Sequence, residues 1–168
     1  MTANVIAVPS RAETTPPPET CHAPLDEDEM RLWTAFLEAA TVALERLDRA
    51  LHEFDLTLPD YEVLVFLSAE DDQRLTMKEL AARTLQAKSR LTYRVDRLEK
   101  AGMVTREACH EDARRVWCTL TPAGLRLLET AWPSHLASVR RFVVDPVGRR
   151  DLPAATRALE RIVAELRG

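Results

Sequence analysis

Residues 87–124 read AKSRLTYRVDRLEKAGMVTREACHEDARRVWCTLTPAG, and this stretch decides the fold. Its first third has a helical pattern: at about 100° per residue, Leu91, Val95 and Leu98 share one face and form an inward stripe. Gly102 follows as a stop signal, so the helix is expected over residues 87–101. Two β-rich runs come next, Met103 to Cys109 and Val116 to Leu120, with the polar segment His110 to Arg115 between them. That is the pattern of a hairpin with a charged tip. Thr121-Pro122-Ala123-Gly124 then opens another helix, with Thr at the N-cap and Pro in the first turn.

Upstream, Thr76-Met77-Lys78-Glu79 is a capping box that starts a short helix to about Thr84, with Leu80 and Ala81 facing inward. Thr57-Leu58-Pro59-Asp60 opens the helix before it, whose buried side carries Tyr61, Leu64, Val65 and Leu67. The segment Asp71-Asp72-Gln73-Arg74 reads as a polar loop. A long helix starts at Asp26, with Asp26, Glu27, Asp28 and Glu29 at its positive end. Along it Trp33, Leu37, Ala40, Leu44, Leu47, Leu51 and Phe54 keep a heptad rhythm, a narrow stripe that another helix must cover, within the subunit or across a dimer.

Downstream, Leu125, Leu128, Trp132, Leu136, Val139 and Val143 give a second stripe, with a bend expected at Pro133 and a chain break at Asp145-Pro146. Leu159, Ile162, Val163 and Leu166 line one face of a last helix. Residues 1–24 hold Pro9, Pro16-Pro17-Pro18 and Pro24 and read as a disordered extension. The fold class expected is mainly α: a winged helix-turn-helix with a two-stranded β wing, flanked by N- and C-terminal dimerisation helices. Residues 57–120 would form the winged region, and residues 25–56 and 121–168 the dimerisation region.

The 168-residue chain is 46% hydrophobic and 30% charged, a mixture ordinary for a globular protein. No apolar run approaches the roughly 18 residues of a membrane span, and no basic-then-apolar leader opens the chain. Three cysteines, Cys21, Cys109 and Cys118, do not make a disulfide framework, so a reducing cytoplasm is expected. The total charge of −4 argues superficially against nucleic acid. Between Arg83 and Arg115, however, nine basic and five acidic residues leave a local net of +4. Such an asymmetry is the footprint of a face that meets an anion.

On the helix of residues 87–101, the first two turns expose Lys88, Ser89, Arg90, Thr92 and Tyr93, with no acid before Asp96. Gln86, Arg90 and Arg97 project on one shoulder, where Arg97 is expected with Arg90 to contact DNA, and Arg94 lies nearer the core edge. Arginine reads guanine with two parallel donors, and Ser or Thr serves phosphate or base. At the wing, Arg114 and Arg115 can reach a narrow minor groove, while Asp112 pins the Arg114 guanidinium. The bland alternatives are a solvated basic helix face and a surface ion pair of little worth.

An enzyme is disfavoured. Gly102, Gly124, Gly148 and Gly168 are too far apart for a phosphate loop, and neither a His-Glu-x-x-His nor a Ser-His-acid motif occurs. No catalytic residue and no cofactor is expected. Cys21-His22 and Cys109-His110 lack the spacing of a closed metal site, so no metal is expected either. Cys109 and Cys118 flank the wing on antiparallel strands, where they can be near neighbours; packing as small apolar residues is their expected role. The remaining rival is a winged helix that binds protein rather than DNA, but such a module would not keep Arg90, Arg94 and Arg97 outward.

The chain resembles the MarR family of bacterial transcription regulators over roughly Trp33 to Leu166. The resemblance rests on Leu75-Thr76-Met77-Lys78-Glu79-Leu80-Ala81, on Leu91 through Val104, and on Asp112-Ala113-Arg114 running into Leu120-Thr121-Pro122-Ala123-Gly124. It implies a homodimer that reads a palindrome in double-stranded DNA, often under the control of a small-molecule effector. It also implies that Lys88, Ser89, Arg90, Thr92, Tyr93 and Arg94 face the major groove, and that Arg114, positioned by Asp112, enters the minor groove. Relatives that sense peroxide carry a cysteine early in the first long helix, with tyrosines nearby. This helix has neither, so that mode is disfavoured.

Overall fold

The computed structural model describes residues 23–84, 87–109 and 115–167. The proline-rich extension expected over residues 1–24 falls almost wholly outside these, as do Gln86 and the tip residues His110 to Arg114. Two compact units divide at Leu37/Glu38. The elements in order are α1 (Glu27–Leu51), a 3-10 turn (His52–Phe54), α2 (Leu58–Ser68), β1 (Arg74–Thr76), α3 (Met77–Thr84), α4 (Lys88–Lys100), β2 (Val104–Ala108), β3 (Val116–Leu120), α5 (Pro122–Val139), a π turn (Arg140–Val144) and α6 (Asp145–Arg167).

Helix starts follow the capping chemistry in the sequence. Asp26 and Glu29 cap α1 reciprocally, each carboxylate accepting the other's backbone N–H at 2.8 and 2.9 Å. At α3 the Glu79 carboxylate accepts the Thr76 N–H at 2.9 Å and the Thr76 hydroxyl oxygen accepts the Glu79 N–H at 3.2 Å. Thr57 caps α2, and the Asp60 carboxylate returns to the Thr57 N–H at 2.9 Å. The next free donor of α2, the Leu58 N–H, goes to Asp48 of α1 at 2.7 Å.

The hairpin stands as expected, with β2 and β3 antiparallel from Val104↔Leu120 to Ala108↔Val116. A third strand joins it. Arg74 does not belong to the polar loop but opens β1, which pairs with β3 as Arg74↔Thr119 to Thr76↔Trp117, giving the sheet order β1-β3-β2. Leu75 and Thr76 are buried by this pairing, so the strand hides its own capping residue. The register also separates the two cysteines: Cys118 faces Arg106, while the Cys109 N–H reaches the Arg115 carbonyl. They are therefore not cross-strand neighbours. Cys118 is fully buried, and burial pushes its thiol up to about 12, which keeps it neutral and inert.

One core gathers Leu51, Tyr61, Leu64, Leu67, Leu80, Leu91, Val95, Leu98, Val104, Cys118, Leu120 and Leu128. The stripes on the long helices reach it only in part. On α1, Leu47 and Leu51 are buried, whereas Trp33, Leu37 and Leu44 are exposed. On α5, Leu128 is buried, and Trp132 and Leu136 are exposed. On α6, Leu159, Ile162, Val163 and Leu166 are exposed, whereas Leu152, Ala155 and Ala158 are half-buried.

Helix α5 includes Pro133, where a bend was expected. One break differs from expectation: the chain does not break at Asp145-Pro146. Proline lacks an N–H, and the backbone accommodates it just after a π turn in which the Asp145 N–H reaches back five residues to the Arg140 carbonyl. The interruption falls at Gly148, at φ 73° and ψ 154°, a conformation suited to glycine.

The Leu120-Thr121-Pro122-Ala123-Gly124 motif has a mechanical role. Thr121 donates its hydroxyl to the Gly102 carbonyl at 2.7 Å and accepts the Gly124 N–H at 3.0 Å, joining the end of α4 to the start of α5. Gly124 is buried, and a Cβ there would run into the Met103 carbonyl and come within 2.8 Å of Leu120. Gly124→Ala therefore forces a backbone shift and should destabilise the fold by about 1–3 kcal/mol, read as a lower urea midpoint with unchanged m-value.

At the edge of the core, the ring of buried Tyr61 lies 4.4 Å from that of half-buried His135, and among the described residues neither the Tyr61 hydroxyl nor His135 Nδ1 has a hydrogen-bond partner. Burial raises the Tyr61 hydroxyl to about 12 and lowers the His135 imidazole below its usual 6.5. With the folded pKa depressed, the unfolded chain binds the proton more readily, so this contribution is complete above 6.5 and is lost as pH falls through the folded value. Urea midpoints of His135→Gln should decline less between neutral pH and pH of about 5.5 than those of the parent. Parallel declines would show that His135 does not titrate against folding.

Candidate nucleic-acid interface

Helix α4 is fixed at three places. Its inward face, Leu91, Val95 and Leu98, is buried in the core. Its C-terminus closes in a Schellman motif: the Met103 N–H binds the Leu98 carbonyl and the Gly102 N–H binds the Glu99 carbonyl, each at 2.9 Å, with Gly102 at φ 75°. Its flank is tied to the hairpin by Arg106 of β2, which pairs with Asp96 and Glu99 at 2.6 Å each. The hydrogen bond from Arg106 holds the Glu99 carboxyl below its usual range.

The opposite shoulder of α4 meets α2 at Asp60. This carboxylate is fully buried. It accepts from the Arg97 guanidinium and the Thr57 hydroxyl, and Arg94 lies 3.8 Å from its other oxygen. Arg94 also donates to the Thr57 hydroxyl at 3.3 Å. Glu62 feels the same arginine: burial raises its pKa and Arg94 pulls it down. The sequence identified Thr57 and Asp60 only as the start of a helix. Their partners stand far along the chain, so no local pattern announced them.

These pairings sort the basic residues counted in the sequence. Arg83 pairs with Glu70 at 2.6 Å, Arg106 with Asp96 and Glu99, and Arg97 with Asp60. Among the described residues, Lys88, Arg90 and Lys100 of α4 make no ion pair. Lys88, Ser89, Arg90, Thr92 and Tyr93 are all exposed, Tyr93 at 72%. Ser89, Arg90, Tyr93 and Arg94 line one open depression of about 270 Å³. The outward face read from the sequence is thus present, and the first acid on the helix, Asp96, is held by Arg106.

At the base of the wing, Trp117 carries the guanidinium of Arg74 at 4.8 Å and that of Arg115 at 5.8 Å from its ring centre. Sequence reading passed over Arg74, because β1 was not anticipated. Asp112 and Arg114 lie outside the described residues. Among the described residues, no cluster of His, Cys, Asp and Glu fit for a metal occurs, and no helix is long and apolar enough to cross a membrane.

Comparison with known proteins agrees with this geometry. The MarR family profile matches residues 54–115, from the end of the 3-10 turn after α1 into the wing. AbsC from Streptomyces coelicolor, a solved MarR-family transcriptional regulator, is 38% identical, with 88% of this chain and 99% of that chain covered and a TM-score of 0.83. This chain belongs to the MarR family. A second MarR-family regulator from the same organism, Sco3205, solved in complex with DNA, is 35% identical over 86% of this chain and 91% of its own, with a TM-score of 0.80. The transcriptional regulator MhqR of Bacillus subtilis is 24% identical over 138 residues, covering 82% of this chain and 93% of that protein. The MarR-family assignment makes this protein a DNA-binding transcription regulator, with α3 and α4 as its helix-turn-helix.

The tie from α4 to the hairpin can be cut without touching the outward face. Arg106→Ala removes both ion pairs and leaves Asp96 and Glu99 as unpaired acids on α4. It should weaken DNA binding at low salt more than at high salt, since the added negative charge is screened as salt rises. An equal loss at both salts would show that Arg106 matters only for packing.

Proposed function

We propose that the protein is a homodimeric repressor that occupies a palindromic operator and is released by a small-molecule effector. The observation that carries the DNA-reading part is the face of α4 described above: exposed donors at Lys88, Ser89 and Arg90, an acceptor oxygen at Thr92 (whose hydroxyl donates to the Lys88 carbonyl), and a flat aromatic at Tyr93, free of unpaired acid. A helix with such residues in its first turns suits the major groove. Arg114, Arg115 and Asp112 would bring the wing to the minor groove, where the potential is most negative.

The dimer is supported by apolar surface. Trp33, Leu37, Leu159, Ile162, Val163 and Leu166 are all at least 41% exposed in the single chain. Stripes of this kind call for cover. A second copy supplies it with matching stripes and places two recognition helices about one DNA turn apart, roughly 34–36 Å. An effector that prefers a different spacing would then lower operator affinity by differential binding to the two states.

Two measurements test the reading. Arg90→Ala should cost about 1–3 kcal/mol of specific DNA affinity and relax the base preference at one position per half-site, while sedimentation still reports a dimer. Ile162→Glu, at the exposed face of α6, should yield monomers that bind duplex far more weakly than the parent. An Arg90→Ala protein that binds DNA like the parent would instead favour a winged helix used for protein contact.

A further inference from the structure

We propose that Asp60 is a positioning residue for DNA recognition: it holds α4 through Arg97 and aims Arg94 along the face presented to the groove. The inference rests on the DNA-reading role of α4. It departs from the sequence reading in making Arg97 a tether and not a DNA contact.

The geometry divides the two arginines. Arg97 binds the Asp60 carboxylate directly, although nearly half of its side chain is exposed. Arg94 stands at the looser end of the cluster. It is 3.8 Å from the second carboxylate oxygen, which has no hydrogen bond among the described residues, and Arg94 hydrogen-bonds the Thr57 hydroxyl. Arg94 also lines the depression shared with Ser89, Arg90 and Tyr93. It therefore reaches from a buried anchor to the outer face, and the position of that anchor fixes its direction.

Asp60 is suited to such a role because it cannot move. Its carboxylate closes the capping box of α2, with the Thr57 N–H at 2.9 Å, and its side chain is fully buried. A fork-shaped donor bound to a fixed carboxylate transmits orientation as well as attraction. Hydrophobic packing of Leu91, Val95 and Leu98 sets the depth of α4 but tolerates rotation and sliding. A directional bond to a residue on another helix removes that freedom.

The test uses the full chain and a duplex selected by the parent protein from a randomised pool. Asp60→Asn, Arg97→Ala and the double variant are compared for affinity, for selected sequence and for the slope of affinity against salt. Each single variant should lose about tenfold in specific affinity, with the double no worse than the weaker single, because both break one link. The salt slope of Arg97→Ala should stay within a few tenths of the parent's, whereas loss of a phosphate contact would lower it by about 0.9. Arg97→Lys should restore part of the affinity. If Asp60→Asn does not fold, Arg97→Ala, at an exposed side chain, carries the same readouts. Additive losses, a slope reduced by a full contact in Arg97→Ala, or parental affinity in Asp60→Asn would each overturn the positioning role. Failure of the parent itself to select any duplex would overturn the DNA-reading role of α4, and this proposal with it.

Discussion

A carboxylate taken wholly out of water is tolerable only if charge and hydrogen bonds replace what water gave. Asp60 meets that condition at one oxygen, which takes three donors from two residues: the backbone N–H and the hydroxyl of Thr57, and the guanidinium of Arg97; its other oxygen has the charge of Arg94 at 3.8 Å. The same requirement binds α2 to α4. If Arg97 is removed, the carboxylate is left in a place where water cannot replace it. The pose of the recognition helix thus follows from the cost of an unsatisfied buried anion, with the core of Leu91, Val95 and Leu98 supplying the adhesion beneath it.

The remaining restraints act at the other edges of α4. Arg106 spans from β2 to Asp96 and Glu99, and Thr121 joins Gly102 to the first turn of α5. Arginines thus hold two sides of the helix and backbone geometry closes its end. One consequence is electrostatic. Of the basic residues that made the segment look positive, several are neutralised by their structural partners. The charge left for a ligand is smaller than the count and is gathered on the outward side, at Lys88, Arg90 and Lys100. A chain with net charge −4 can bind an anion on those terms, because the field is local and falls off within about 10 Å at ordinary salt.

The long helices present a different balance. Their apolar stripes are only partly used by the core of a single chain. Leu47 and Leu51 of α1 and Leu128 and Ala131 of α5 contribute to it; Trp33, Leu37 and Leu44 of α1, Trp132 and Leu136 of α5, and Leu159, Ile162, Val163 and Leu166 of α6 are exposed. Apolar area is favourable wherever water leaves it, so these stripes favour association without specifying its geometry.

Local chemistry legible in the residue order determined much of this protein. The capping box Thr76/Glu79, the helix start at Thr57 to Asp60, the stop at Gly102 and the β-rich run around Trp117 depend on neighbours a few positions apart, and each element appeared where they placed it. The outward face of α4 was legible for the same reason, since helical periodicity alone separates Arg90 and Tyr93 from Leu91 and Val95. Only the tertiary structure decided what depends on distant partners. It recruited Arg74 to Thr76 as a third strand, because β3 had a free edge to pair. It set Cys109 and Cys118 apart through the strand register, and moved the helix break from Pro146 to Gly148. Above all, it brought Arg97 to a buried carboxylate 37 residues away. Short-range hydrogen bonds and periodicity are written along the chain, while burial and long-range pairing exist only once the chain has closed on itself.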